Sequence, residues 1–182
     1  MKLEKTMFRE YDIRGRESEN ELNESSMYHI ARGFARMLCD MHVREIIVGY
    51  DARGTSEAFH KSAEKGFLDS GINVIDIGTV TTPMSYWAQY FFKTRGLCMV
   101  TASHNPVGWN GVKLGTDLSK TLLPDEIRKL YAIIEAEEYV NGEGVRRTAD
   151  IREDYVKDLL SRAQISRKFK VLVNTGNGTA GI

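Results

Sequence analysis

Proline, cysteine, long apolar runs and any excess of one charge are all scarce in this 182-residue chain. With three prolines, it is neither a polyproline linker nor a collagen-like or disordered segment. The two cysteines, Cys39 and Cys98, stand far apart with no CxxC spacing. That argues against a zinc ribbon or a disulfide framework and leaves them reading as reduced, buried, inert thiols. The longest apolar stretches, at 46–48 and 97–100, fall far short of the ~18 residues a membrane span requires. The opening MKLEKTMFREYDIRG is charged every few positions and has no apolar core, so it does not read as a secretory signal. The expectation is a cytoplasmic protein with no membrane partner. Lys plus Arg and Asp plus Glu both number 25. No global footprint for nucleic acid exists, and an anion site has to be local.

Apolar residues make up 42% of the chain and charged residues 27%, which suits an ordinary folded domain. On length the chain is one domain and the beginning of another. Met27, Ile30, Ala31, Phe34, Met37, Leu38 and Met41 recur at helical spacing after Asn23, a candidate N-cap, with Leu22 and Met27 placed as a hydrophobic staple. The spacing predicts a helix over 24–41. A short β-rich run follows at 45–50. A second helical pattern then begins at Ser56, passes Phe59, Ala63 and Phe67, and stops at Gly71. Another strand is expected at 73–77, and Thr82-Pro83 opens a third helix through Met84, Trp87, Ala88, Phe91 and Phe92.

A third strand at 96–101 completes an alternation of strands with helices, the mark of parallel βαβ units and an α/β class. Residues 111–115 read as a short extended piece and 124–137 as an amphipathic helix. The stretch 139–144, with its Asn-Gly and Glu-Gly steps, reads as a linker. Beyond it a helix is expected over 150–162 and a strand at 170–174. A domain boundary near 150 follows, with 1–150 the first domain and 151–182 a truncated start of the second.

The strongest local feature is TASHNP at 101–106, just after the carboxyl end of a predicted parallel strand. Ligand crevices of open α/β sheets lie at such ends. Ser103 and His104 do not read as a hydrolase pair, because adjacent loop residues project to different sides and GxSxG is absent. Three further segments join the serine: YDIRG at 11–15, GYDARGTS at 49–56 and NGVK at 110–113. Each pairs a cation with glycine or small polar residues, chemistry suited to phosphate. Taken singly, Arg14, Arg53 and Lys113 read as surface cations or structural ion pairs.

Together, in this order, the four segments resemble the α-D-phosphohexomutase superfamily over nearly the whole of the first 115 residues, and most closely its phosphomannomutase/phosphoglucomutase branch. FREYDIRG at 8–15 and GYDARGTS carry that assignment to the branch. The resemblance implies a mixed, mainly parallel sheet sandwiched by helices, with a truncated second α/β domain. It also implies a phosphoserine at Ser103 that gives its phosphoryl group to a hexose phosphate and takes one back from a hexose 1,6-bisphosphate, with Mg2+ held partly through the serine phosphate. On the same basis His104 and Lys113 would act around the reacting hydroxyl, and Tyr11, Arg14 and Asn105 would contact phosphoryl groups. A neutral serine needs such help as a nucleophile, and the help takes the form of charge stabilisation of a loose phosphoryl transition state.

The tail GNGTAG at 176–181 is a literal GxGxxG after a predicted strand, the dinucleotide fingerprint. Against that reading, the strand and GNGTAG resemble the strand-to-helix turn that opens the mutase family's second domain, which is the preferred account. The family's carboxylate-rich metal loop, of DGDGDR type, does not occur in this sequence. The expectation is therefore an N-terminal part that holds the nucleophile and relies on domains II to IV of its own chain to complete the cycle. The alternative is a non-catalytic α/β binding or scaffold domain that retains the motifs. His29, His42 and His60 read as surface or packing residues, and Trp87, Phe91 and Phe92 as a core stripe.

Overall fold

The computed structural model describes residues 3–181. A seven-stranded mixed sheet runs through the middle of the molecule in the order β1-β5-β4-β2-β3-β7, with β6 paired to β5. Its parallel block consists of β4 (Gly96–Val100), β2 (Glu45–Tyr50), β3 (Asn73–Thr79) and β7 (Arg146–Thr148). The other edge is antiparallel, built from β5 (Trp109–Asp117), β1 (Ile13–Arg16) and the two-residue β6 (Lys120–Thr121). Every residue of β4 is buried, as a strand covered on both faces must be.

Helices α1 (Glu24–Asp40), α2 (Ser56–Leu68) and α4 (Pro124–Ala136) cover one face, and α3 (Thr82–Phe92) with α5 (Arg152–Arg162) the other. α1 starts as its sequence specifies: the Asn23 side chain accepts from the Ser26 N–H at 3.0 Å while Ser26 Oγ accepts from the Asn23 N–H at 2.8 Å. This reciprocal cap satisfies two otherwise orphaned donors, and the flanking Leu22 and Met27 are both buried. The larger core centres on Phe34 of α1 and Phe67 of α2, which meet edge to face at 6.3 Å. Each buried ring contributes about 2–3 kcal/mol through burial.

The extended run at 111–115 proves to be the middle of the nine-residue β5. The sequence pattern gives no sign of strand β1, because its partner lies about a hundred residues away, with Ile13 opposite Val112. Its close fit depends on Gly111, where a Cβ would stand 2.4 Å from the Ile13 carbonyl oxygen. The 139–144 linker is packed down: Arg32 donates to Val140 O at 2.9 Å and to Asn141 Oδ1 at 2.7 Å, and Gly142 bridges to Ser70. Residues 170–174 form no strand, and Val171, Leu172 and Val173 are exposed, having no neighbouring strand to pair with.

Three smaller expectations are also corrected. Cys98 is buried, and burial pushes its thiol pKa up, but Cys39 is only half-buried beside Arg44. Trp87 and Phe92 pack on the second core, whereas Phe91 is exposed and stacks on Trp87 at 4.7 Å. His29 bonds Tyr139 and His42 is exposed, as a packing and a surface residue would be, but His60 is buried among carboxylates. Among the described residues, no helix is long and apolar enough to cross a membrane.

Candidate functional site

Parallel strands β2, β3 and β4 release their chains at one edge of the sheet, and Tyr50 lies level with Thr79 and Val100 there. The three following loops, with the 103–108 segment as the longest wall, line a cleft of about 860 Å³. This is the carboxyl-end crevice expected of an α/β sheet.

Ser103 stands exposed at the mouth of this cleft with φ of 57°. The left-handed region costs an ordinary residue about 1 kcal/mol, and such strain persists where surroundings enforce it. Here the enforcement is explicit. Ser103 N–H donates to Thr101 Oγ1 at 3.0 Å, and Asn105 N–H to Ala102 O at 3.1 Å. The Arg53 guanidinium donates to four backbone carbonyls of the loop, those of Ser103 (2.9 Å), Asn105 (2.6 Å), Pro106 (3.1 Å) and Trp109 (3.1 Å).

Arg53 is itself anchored by Asp51, whose Oδ2 lies 3.3 Å from Nε and whose Oδ1 accepts from the Arg53 N–H and from Ser56 Oγ. Asn110 ties this turn to β5 by donating to Thr55 Oγ1 and Ser56 Oγ. Taken singly in the sequence, Arg53 reads as a surface cation or ion-pair partner. Its pairing with Asp51 fits that reading, but the partners that organise the loop are backbone oxygens, which no side-chain pattern reveals. The cue was the tight Asp-Ala-Arg-Gly turn directly after a strand.

The remaining expected residues gather on the other flank of the serine loop. Arg14, on β1, is buried and donates from Nε and Nη2 to Asp12 Oδ2 at 2.8 and 2.7 Å, and from Nη1 to Asn105 Oδ1 at 2.9 Å. Lys113 Nζ lies 3.3 Å from the same Asp12 oxygen and 5.4 Å from the centre of the Tyr11 ring. Asp12, quoted within YDIRG but given no role by the sequence, thus holds both cations. Tyr11, Asp12, Arg14 and His104 line a second hollow of about 310 Å³. His104 Nδ1 stands 3.4 Å from Ser103 Oγ, at the outer limit of a hydrogen bond.

The loop therefore separates two hollows, with Ser103 and Asn105 lining the larger, His104 lining the smaller, and Asn105 reaching across to Arg14. Trp109 lies between Arg9 and Arg16, whose guanidinium carbons are 5.8 and 5.5 Å from its ring centre. The tail reaches the larger cleft too, where Thr179 Oγ1 accepts from the Ala52 N–H at 3.0 Å.

Fold and site together define a three-layer α/β/α domain that presents a conformationally forced serine and nearby cations at the ends of its parallel strands. Residues 5–141 match the family described as phosphoglucomutase/phosphomannomutase, alpha/beta/alpha domain I, and the chain belongs to that family. It is 36% identical over 185 residues to a phosphomannomutase of Vibrio cholerae, covering 98% of this chain and 40% of the relative. It is 32% identical over 183 residues to a phosphoglucomutase of Neisseria meningitidis, covering 98% of this chain and 39% of the relative. Among solved structures, a putative phosphomannomutase from Thermus thermophilus superposes with a TM-score of 0.77 at 27% identity, over 86% of this chain and 36% of that one. A phosphoglucomutase/phosphomannomutase family protein from Burkholderia thailandensis gives a TM-score of 0.85 at 24% identity, over 91% of this chain and 38% of that one; it supports the fold. The chain thus spans about 40% of the length of the curated relatives it matches.

Proposed function

We propose that this chain is the serine-bearing part of a phosphohexomutase, interconverting hexose 1-phosphate and hexose 6-phosphate through a phosphoserine and a hexose 1,6-bisphosphate. In this reading 1–150 is the first domain, 151–182 opens the second, and the rest of the chain supplies domains II to IV. One observation carries it: Ser103 is exposed at the cleft mouth in a left-handed conformation that Arg53 and Thr101 enforce. A serine that only closed a turn would not call for a guanidinium holding four carbonyls around it.

The chemistry is a pair of phosphoryl transfers. In the first, the bond between Ser103 Oγ and phosphorus breaks, a bond from a sugar hydroxyl oxygen to phosphorus forms, and the hydroxyl proton ends on Oγ. In the second, the bond from the other sugar oxygen to phosphorus breaks, a bond from Ser103 Oγ to that phosphorus forms, and the serine proton ends on the released sugar oxygen. Lys113 and Arg14, held on Asp12, supply positive charge beside the transferring group, where a loose transition state gathers negative charge. His104 lies close enough to Ser103 Oγ to exchange a proton with the reacting hydroxyl once the substrate closes the geometry. Tyr11, Arg14 and Asn105 contact the phosphoryl oxygens, with Asn105 kept in place by Arg14.

Mg2+ is the metal the family implies, and the donors at the serine fit it in one respect. Both Asp51 oxygens are engaged with Arg53 and Ser56, and Glu17 Oε1 accepts from Thr55, so this chain offers the ion the phosphate carried by Ser103. An ion held there would keep waters or take carboxylates from elsewhere in the protein, and would supply Lewis-acid polarisation of the phosphoryl oxygens.

The test is mass spectrometry of the Ser103 peptide before and after addition of a hexose 6-phosphate. A phosphoryl group on Ser103 that the sugar depletes, and that Ser103→Ala lacks, is the expected result. A serine that glucose 1,6-bisphosphate with Mg2+ fails to phosphorylate would leave a non-catalytic binding or scaffold domain as the better account.

A further inference from the structure

Away from the serine loop, α2 and β3 bring three ligand-type side chains together. His60 and Glu64 lie one turn apart on α2, and Asp76 faces them from β3. All three are buried, at 2, 6 and 9% exposure, and a ligand atom from each lies within 4.8 Å of the others. A hollow of about 410 Å³ opens beside them, bordered by Tyr50, Lys61 and Gly78. It shares no lining residue with the serine cleft.

The unusual member is His60. Its ring is almost wholly buried, yet neither Nδ1 nor Nε2 makes a hydrogen bond. Leaving a buried polar ring unpaired costs about 1–3 kcal/mol, so the arrangement calls for a partner. Nε2 points into the carboxylates, 3.0 Å from Asp76 Oδ1 and 3.6 Å from Glu64 Oε1, but off the line of an N–H···O bond. Those separations bracket the edge of a coordination tetrahedron, which is about 3.3 Å for metal–ligand bonds of ~2.0–2.1 Å.

We propose that His60, Glu64 and Asp76 form a binding site for a borderline divalent metal of the Zn2+ type, with the hollow leaving a fourth position for water. One imidazole and two carboxylates on rigid elements are a donor set such ions take. The Gly78 N–H already donates to Asp76 Oδ1 at 2.8 Å, orienting that ligand from behind. Arg146 of β7 is the cation beside these carboxylates. It donates from Nε to both Glu64 oxygens, at 3.1 and 3.3 Å, and from Nη2 to Asp76 Oδ2. Its side chain is 45% exposed, so it is free to swing outward when an ion takes over the charge. The metal would then pin α2 to β3, and Arg146 would release that hold on β7.

The experiment uses chelator-stripped protein dialysed against Zn2+, with bound metal counted by elemental analysis and Co2+ absorption reporting the coordination geometry. One Zn2+ per chain is expected, together with a tetrahedral Co2+ spectrum and loss of both in His60→Gln. Arg146→Gln removes the competing cation and should tighten Zn2+ binding by about tenfold, whereas a purely structural ion-pair cluster would lose stability and gain no affinity. A folded wild-type protein that takes up no Zn2+, or uptake that survives His60→Gln, overturns the proposal. Should His60→Gln not fold, Arg146→Gln decides alone: unchanged or weaker binding refutes the site. None of these readouts involves phosphoryl transfer, so failure here leaves the mutase reading untouched, and the reverse holds as well.

Discussion

Arg53 Nη2 donates to the carbonyl oxygen of Ser103 at 2.9 Å from a turn fifty residues earlier in the chain. A side chain from the end of β2 thereby fixes the backbone of a residue that follows β4. The planar fork reaches four carbonyls at once, which a point charge on a flexible stem does not.

Arg53→Lys is accordingly expected to loosen the serine loop while preserving charge. Losing charge-assisted hydrogen bonds there should cost about 2–3 kcal/mol of stability, measured by urea denaturation. Phosphorylation of Ser103 by glucose 1,6-bisphosphate should slow by about 100-fold, because misplacing a nucleophile by about an ångström is enough for that. A lysine variant that matches wild type in both measurements would show that the carbonyl contacts do not position the serine.

Ser103→Gly and Ser103→Ala should part company in stability. Both remove the hydroxyl, but only glycine relaxes at a φ of 57°. After allowing for the greater freedom of glycine in the unfolded chain, the glycine variant should be the more stable of the two by about 0.5–1 kcal/mol. Equal thermal midpoints would mean the loop is not strained at this position.

Gly111→Ala tests the seam between the N-terminal strand and the serine loop. The added methyl would meet the carbonyl oxygens of Ile13 at 2.4 Å and Thr101 at 3.0 Å, and backbone on both sides leaves little room to yield. Destabilisation of about 2–3 kcal/mol is expected, read as a lower urea midpoint with an unchanged slope.

The docking of α5 should weaken in acid. Trp87 Nε1 donates to Asp158 Oδ2 at 2.8 Å; this bond first, and Arg162 second, hold the Asp158 carboxyl below the usual carboxylate range. A group whose folded pKa is depressed contributes stability above its unfolded pKa and loses it as pH falls through the folded value. The thermal midpoint of the wild type should therefore fall from about pH 4 downward. Asp158→Asn, which keeps an acceptor for the indole, should show a shallower acid limb. Parallel limbs in the two proteins would count against this carboxylate.

What the sequence made legible was local. Asn23, Leu22 and Met27 announced the start of α1 through spacing alone, and the structure forms that cap. The serine loop was legible because four short motifs occur in one order, and the structure brings Arg14 and Lys113 together on Asp12, with Asn105 bound to Arg14. What stayed hidden depends on partners distant in the chain. Strand β1 carries no periodicity over its four residues and exists through its pairing with β5. The expectation at 170–174 failed for the complementary reason: apolar β-formers alone do not make a strand when no edge is there to receive them. His60 looked like a packing residue because its carboxylate neighbours come partly from another element, and one of them, Asp76, lies on a strand whose pattern gave no hint of it.

The pairing of Ile13 with Val112 also orders events in time. As the chain leaves the ribosome, the segment bearing Arg14 emerges about a hundred residues ahead of β5, and it has no strand to join until β5 has followed. Contacts so far apart in sequence form slowly and late. Helices α1 and α2 can pack first, whereas the Arg14–Asn105 bridge, spanning 91 positions, closes near the end. The hollow between β1 and the serine loop is thus among the last parts of the domain to be built, and a partly made chain exposes Ser103 before the Arg14–Asn105 bridge braces its loop.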